Sequence, residues 1–213
     1  MLVSAKNVTK KFLGVNVLDG VSLDINQGDR VAMMGPNGAG KTTLIRAFLG
    51  FYHIDKGTIE VDGFNPIKDR VKVLQKISFI PQLPPPIKLS LDEMISFITK
   101  SSNISKEMIF RESDRMELSL EKNLHKQFFK LSGGMKQKLL IAIALSKKSS
   151  LLVFDEPTAN LDPKAREHFY RLLQELDAEC STLFITHRLD EIKDLVNRQV
   201  YMDLGKIVED EKV

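Results

Sequence analysis

Gly35-Pro36-Asn37-Gly38-Ala39-Gly40-Lys41-Thr42-Thr43 fits the pattern G-x-x-x-x-G-K-[ST]. The residues on either side make the match more than a coincidence of glycines. Asp29-Arg30-Val31-Ala32-Met33-Met34 is an apolar run with a charged lead and reads as a strand over Arg30–Met34. Thr42 to Leu49 reads as a helix. A glycine-rich loop between such elements can turn its backbone N–H groups inward around phosphate oxygens. The helix start adds a favourable dipole and further free donors. Lys41 reaches terminal phosphates as a point charge, and the Thr42 hydroxyl can ligate magnesium.

Working outward, Val3–Val8, Val17–Ile25, Thr58–Val61 and Ile77–Ile80 are further strand candidates, several bounded by glycine. From about residue 83 to 148 β-branched runs are few and the chain reads as helical. Ser90 with Glu93 forms a capping box, after which Leu91, Met94, Ile95 and Ile98 share a helical face. Ser105 starts another helix. Residues 149–213 return to α/β alternation. Leu151–Phe154 and Thr182–Ile185 are continuous apolar runs, as expected of strands buried on both faces. Asp162 caps a helix with Pro163 at its first position. Ala165, Phe169, Leu172, Leu173 and Leu176 line that helix's inner face. Tyr201–Val208, broken at Gly205, reads as a closing hairpin.

Bulk composition is that of an ordinary globular protein: 213 residues, 43% hydrophobic, 28% charged, formal net charge +3. That charge is too small to argue for nucleic acid or anionic lipid, and no nucleic acid is expected as a partner. The longest clean apolar run, Leu139–Leu145, is seven residues, well short of the ~18 a membrane span needs. The first residues lack the features of a signal peptide. The lone cysteine, Cys180, fits a reducing cytoplasm and a small core position. Pro84-Pro85-Pro86 is stiff and extended, either a connector or a rigid contact element.

A phosphate loop needs a metal-binding carboxylate. Asp155 lies at the carboxyl end of the Leu151–Phe154 strand, where ligands of parallel sheets sit, placed to hold magnesium. Glu156 follows and can act as general base on an attacking water. Leu131-Ser132-Gly133-Gly134-Met135-Lys136-Gln137 precedes another apolar helix. Its Ser132 and two glycines open a second helix start with free N–H groups, readable as a capping turn or as a second anion site.

That segment matches L-S-G-G-x-x-Q, and here the chain resembles the ATP-binding cassette (ABC) ATPases. The resemblance covers about Leu2 to Val208. It implies an α/β fold: a P-loop NTPase core with a mostly parallel sheet, an N-terminal antiparallel β part and an inserted α-helical subdomain. The chain would be one nucleotide-binding domain, 1–213, with core segments 1–82 and 149–213 and a helical subdomain at 83–148. The implied nucleotide site is Gly35, Pro36, Asn37, Gly38, Ala39, Gly40, Lys41, Thr42 and Thr43, with Phe12 stacking on adenine and Ser132, Gly133 and Gly134 binding the γ-phosphate of ATP held by a second subunit. Tyrosine is more usual where Phe12 stands, so stacking is kept and a hydroxyl contact is not. Gln82, after Ile80-Pro81, resembles the family's Q-loop glutamine, touching magnesium and sensing the membrane partner. Thr42, Gln82 and Asp155 would be the metal set, and Glu156, His187, Lys41 and Gln82 the catalytic set. His187 resembles the switch histidine at the γ-phosphate, and Ala159-Asn160-Leu161-Asp162 the D-loop facing the opposite subunit.

The activity so implied is ATP hydrolysis, with ATP and Mg2+ bound, by a subunit that dimerises with itself or a close relative and drives separate transmembrane permease subunits. Location would be cytoplasmic, peripheral on the inner face of the membrane. Export is expected over import, from the texture of Gly63–Pro81. A cell-division-type regulator of the same superfamily is the alternative. A kinase or GTPase is opposed by Leu131–Gln137 and by the lack of an N-K-x-D motif.

Overall fold

β3 (Arg30–Met34) carries the phosphate loop at its carboxyl end and sits inside a six-stranded sheet of order β5-β6-β7-β3-β8-β9. The computed structural model describes residues 1–102 and 104–213. These form two compact units: Met1–Ser78 with Ser150–Asp155 and Asp177–Val213, and Phe79–Ser149 with Glu156–Leu176.

In the first unit, β3 pairs in parallel with β7 (Ser181–Ile185) and β8 (Arg198–Asp203), and β6 (Leu151–Asp155) pairs in parallel with β7. Every residue of β6 and β7 is buried. That explains why both read as unbroken apolar runs rather than alternating ones. β9 (Lys206–Lys212) closes the sheet as an antiparallel edge after the turn at Gly205. The sheet is therefore mostly parallel, as the resemblance implies. β5 (Ile77–Ile80) lies at the other edge.

A second sheet, order β2-β1-β4, is antiparallel: β1 (Val3–Phe12), β2 (Val15–Ile25) and β4 (Lys56–Val61). β1 runs beyond the expected Val3–Val8. Its register slips after Ala5 and again on either side of Lys10, which breaks the apolar alternation a strand reading relies on. Leu13 and Gly14, both at positive φ, make a two-residue turn between paired Phe12 and Val15. α1 (Lys41–Phe48) follows the phosphate loop. α2 (Arg70–Lys76) is a helix the sequence reading did not single out. Only Val73 of its seven residues is buried, so it has no apolar face to give a periodic signal.

The second unit is helical: α3 (Leu91–Ser102), α4 (Lys106–Arg115), α5 (Gly133–Ser146), α6 (Pro163–Gln174) and two 3-10 turns. The Ser90–Glu93 capping box closes in both directions. The Ser90 amide donates to the Glu93 carboxylate at 2.8 Å and the Glu93 amide to Ser90 Oγ at 3.2 Å. Those bonds from Ser90 hold the Glu93 carboxyl below its ordinary range. Ser105 caps α4 by accepting from the Met108 amide. Asp162 caps α6, accepting from the Ala165 amide at 2.9 Å, with Pro163 at the first helical position. Leu91, Met94, Ile95, Ile109, Leu118, Phe128 and Leu139 form the unit's core. α7 (Leu189–Ile192), in the first unit, is a single turn. Cys180 is half-buried beside β7 rather than in the core, and burial pushes its thiol up.

Phe128 is fully buried in the helical core, so Phe128→Ala is expected to cost ~3–5 kcal/mol. Urea unfolding followed by circular dichroism measures this, and a loss inside the experimental error would contradict the packing described.

Candidate active site

In the first unit, register alone brings three functional segments abreast. Met33 of β3 pairs with Ile185 of β7, and Ile185 pairs with Asp155 of β6. Gly35 is two residues past Met33 and His187 two past Ile185, so the phosphate loop, Asp155 and His187 leave the same carboxyl edge of the parallel sheet. That edge is where open α/β sheets bind ligands.

The loop is held by parts of the chain far away in sequence. The Gly205 amide, in the β8–β9 turn, donates to the Ala39 carbonyl at 3.1 Å. A Cβ on Gly35 would lie 1.9 Å from the Met202 carbonyl oxygen, and Gly35 has φ 134°. One on Gly40 would lie 2.7 Å from the Val17 carbonyl oxygen. Gly38, in contrast, has open space where its Cβ would be. Gly35 and Gly40 are thus required by close packing, and Gly38 only by its φ of 85°.

Lys41 is buried, and its ammonium donates to the carbonyls of Gly35 at 2.6 Å and Pro36 at 3.0 Å. The charge is thereby held against the loop it serves. α1 starts at Gly40 without a side-chain cap or an acidic residue in its first turn. Its first amides and dipole therefore face the loop unopposed. The Thr42 hydroxyl lies 3.4 Å from Asp155 Oδ2, and Asp155 is buried. A hydroxyl and a carboxylate so close are the hard oxygen donors that suit magnesium. Among the described residues no three His, Cys, Asp or Glu gather as a metal cage.

Phe12 ends β1 and is 39% exposed. Its ring meets that of Tyr52 edge-on, with centroids 5.2 Å apart. His187 is exposed just beyond β7, after buried Thr186.

In the second unit, Ser132 caps α5, its Oγ accepting from the Met135 amide at 3.2 Å. The Gly133 and Gly134 amides are left at the head of a 14-residue helix, where the first donors have no partner in the helix. The capping reading is thus met, and the cap leaves the two glycine amides as donors that an anion could use. Asn160 packs beside both glycines: its Oδ1 would be 3.7 Å from a Gly133 Cβ, and its carbonyl oxygen 3.1 Å from a Gly134 Cβ. Its amide also donates to the Gln82 carbonyl at 3.3 Å. Asn160 thus ties the segments at Gln82, Ala159–Asp162 and Ser132–Gly134 together. Its sequence signal was only its place inside the D-loop match. Gln82 itself is exposed. Glu156 takes φ 47°, left-handed for a residue with a side chain. Such a conformation costs roughly 1–2 kcal/mol. The same cap bond to the Ala165 amide holds the Asp162 carboxyl below its ordinary range.

The ABC transporter family model matches residues 18–159. "Linearmycin resistance ATP-binding protein LnrL" of Bacillus subtilis (strain 168) is 31% identical over 97% of this chain and 68% of its own. A solved ATP-binding subunit of an ABC transporter superposes with a TM-score of 0.90 at 26% identity, covering all of this chain and 90% of the other. A dimeric ATP-binding cassette solved in a post-hydrolysis state with ADP and Pi superposes with a TM-score of 0.84 at 26% identity, covering 99% and 98%. The chain belongs to the ABC transporter family, as an ATP-binding subunit with the cassette fold and ATPase activity.

Gly35→Ala would force a methyl group into the Met202 carbonyl. It is expected to displace the phosphate loop and abolish detectable ATP binding by calorimetry, while Gly38→Ala, which meets no neighbouring atom and adds only the ~1–2 kcal/mol strain of a side chain at φ 85°, leaves the chain folded. Equal binding in Gly35→Ala and the parent would refute the close approach.

Proposed function

We propose that two copies, or this chain and a close relative, close head to tail around two ATP molecules. Each ATP would be held by Gly35–Thr43 of one copy and by Ser132, Gly133 and Gly134 of the other. The observation that carries this reading is that one chain has two separate glycine-containing helix starts whose first amides could take an anion, one in each compact unit. A single nucleotide needs only one of them, so the second suits a ligand held by another copy. The likeness to a cassette solved as a dimer supports it.

Within this reading Lys41 neutralises the terminal phosphates and Phe12 stacks on the base. His187 hydrogen-bonds the γ-phosphate. Glu156 accepts a proton from the attacking water, and Gln82 reports the ligand to the membrane partner. Thr42, Asp155 and Gln82 would hold magnesium, which when bound neutralises charge on the phosphate oxygens. ATP binds the closed pair better than the open one, and that difference in affinity shifts the population. Loss of the γ-phosphate removes the bridge and the pair reopens.

Among the described residues no helix is long and apolar enough to cross a membrane. In our reading the work is delivered to separate permease subunits at the inner face of the cytoplasmic membrane, which the transporter family of the chain supports. Export is the direction we favour, from Gly63–Pro81 and from relatives such as "Nod factor export ATP-binding protein I" at 32% identity. Import has its own support in "Spermidine/putrescine import ATP-binding protein PotA" at 34%, of which the chain covers 57%. Flux measured in vesicles with the purified permease decides between the two.

Glu156→Gln should bind ATP normally and hydrolyse it roughly 100-fold or more slowly, the general-base contribution. It should also elute as a dimer with ATP and magnesium. A sizing column showing only monomer would count against the closed pair. Lys41→Ala removes at least one charge-assisted contact and should weaken ATP binding by roughly 10- to 150-fold. Unchanged affinity would overturn the loop assignment.

A further inference from the structure

The end of β1 is held by several contacts that the phosphate chemistry does not require. The turn at its tip is only two residues long, and Leu13 in it is fully exposed. The strand leading to it has shifted register around Lys10. Left to itself, such a tip would offer Phe12 in many orientations.

Two sets of contacts remove that freedom. Asp55, just before β4, accepts from the Lys11 amide at 2.7 Å, and its own amide donates to the Thr9 carbonyl at 2.8 Å. The Lys10 ammonium sits 3.7 Å from the same carboxylate and 5.1 Å from the Phe12 ring centroid. On the ring itself, Tyr52 makes the edge contact at 5.2 Å. Tyr52 is fixed in turn by Arg46, whose guanidinium donates to the Tyr52 hydroxyl at 3.0 Å and lies 5.9 Å from its ring centroid. Arg46 stands in the last turn of α1, the helix that begins at Lys41. A continuous run of side chains therefore joins the phosphate loop's own helix to the aromatic ring.

We propose that Tyr52, held by Arg46, is the positioning residue for the base: it sets the orientation of Phe12 relative to the phosphate loop, so that purine ring and triphosphate are engaged together. The inference rests on the reading of Phe12 as the base platform. Its physical content is preorganisation. A ring already fixed in its stacking orientation loses little freedom when the base arrives.

Calorimetric titration of the full chain with ATP, and separately with inorganic triphosphate, both with magnesium, tests it. Tyr52→Ala is expected to weaken ATP roughly three- to tenfold, the worth of one aromatic edge contact, and to leave inorganic triphosphate unchanged. Tyr52→Phe keeps the ring but loses the hydroxyl that Arg46 holds, so it should fall between Tyr52→Ala and the parent in ATP affinity. An equal loss for both ligands in Tyr52→Ala would mean general damage and overturn the positioning role. Unchanged ATP affinity in Tyr52→Ala, beside a weakened Phe12→Ala, would overturn that role alone. Unchanged ATP affinity in Phe12→Ala would overturn the platform itself, and Tyr52's role with it.

Discussion

The close approach of the Gly35 backbone to the Met202 carbonyl governs the phosphate end of this molecule. A loop that cradles anions must aim its amides inward, and a side chain on its outer side would push it off the sheet. Here β8 lies so near that a Cβ on Gly35 would sit 1.9 Å from a carbonyl oxygen. The Gly205 amide then fastens the loop at Ala39. The parallel pairing of β3, β6 and β7 places Asp155 and His187 at the same edge. Had β7 been shifted by one residue, its alternating side chains would have exchanged faces.

Charge is managed locally rather than by the net field. The Lys41 ammonium is buried against two backbone carbonyls, so its desolvation is compensated by neutral acceptors. Asp155 is buried 3.4 Å from a hydroxyl, an arrangement that a cation would complete. A formal charge of only +3 on the chain is consistent with recognition that works at contact distance.

The helical unit answers a different need. Ser132 accepts from the Met135 amide through one hydroxyl lone pair, and the hydroxyl keeps a second lone pair and a proton to donate. The cap therefore fixes the turn without disabling it. Asn160 supports the same turn from outside and reaches the Gln82 carbonyl. Segments that are separate motifs along the chain are thus one packed cluster in space.

Much of this was legible in the order of residues. Arg30–Met34 and Ile77–Ile80 form strands with the bounds their apolar runs indicate. The capping box at Ser90 and the Asp162–Pro163 helix start follow from side-chain chemistry within four residues. The glycine-lysine-threonine loop and the Leu131–Gln137 segment named the family. Other features were out of reach. α2 buries one residue of seven and leaves no periodic trace. The bulges of β1 hide its length. The left-handed Glu156 follows no local rule. Tyr52 and Asn160 act through partners that no short motif contains: Tyr52 touches Phe12, 40 residues back along the chain, and Asn160 touches Gln82, 78 residues back. Local spacing determined which groups could carry the chemistry, because a motif's geometry is set within a turn or two of backbone. Only the tertiary structure decided what holds them, because that support comes from strands and turns which meet after the chain has packed.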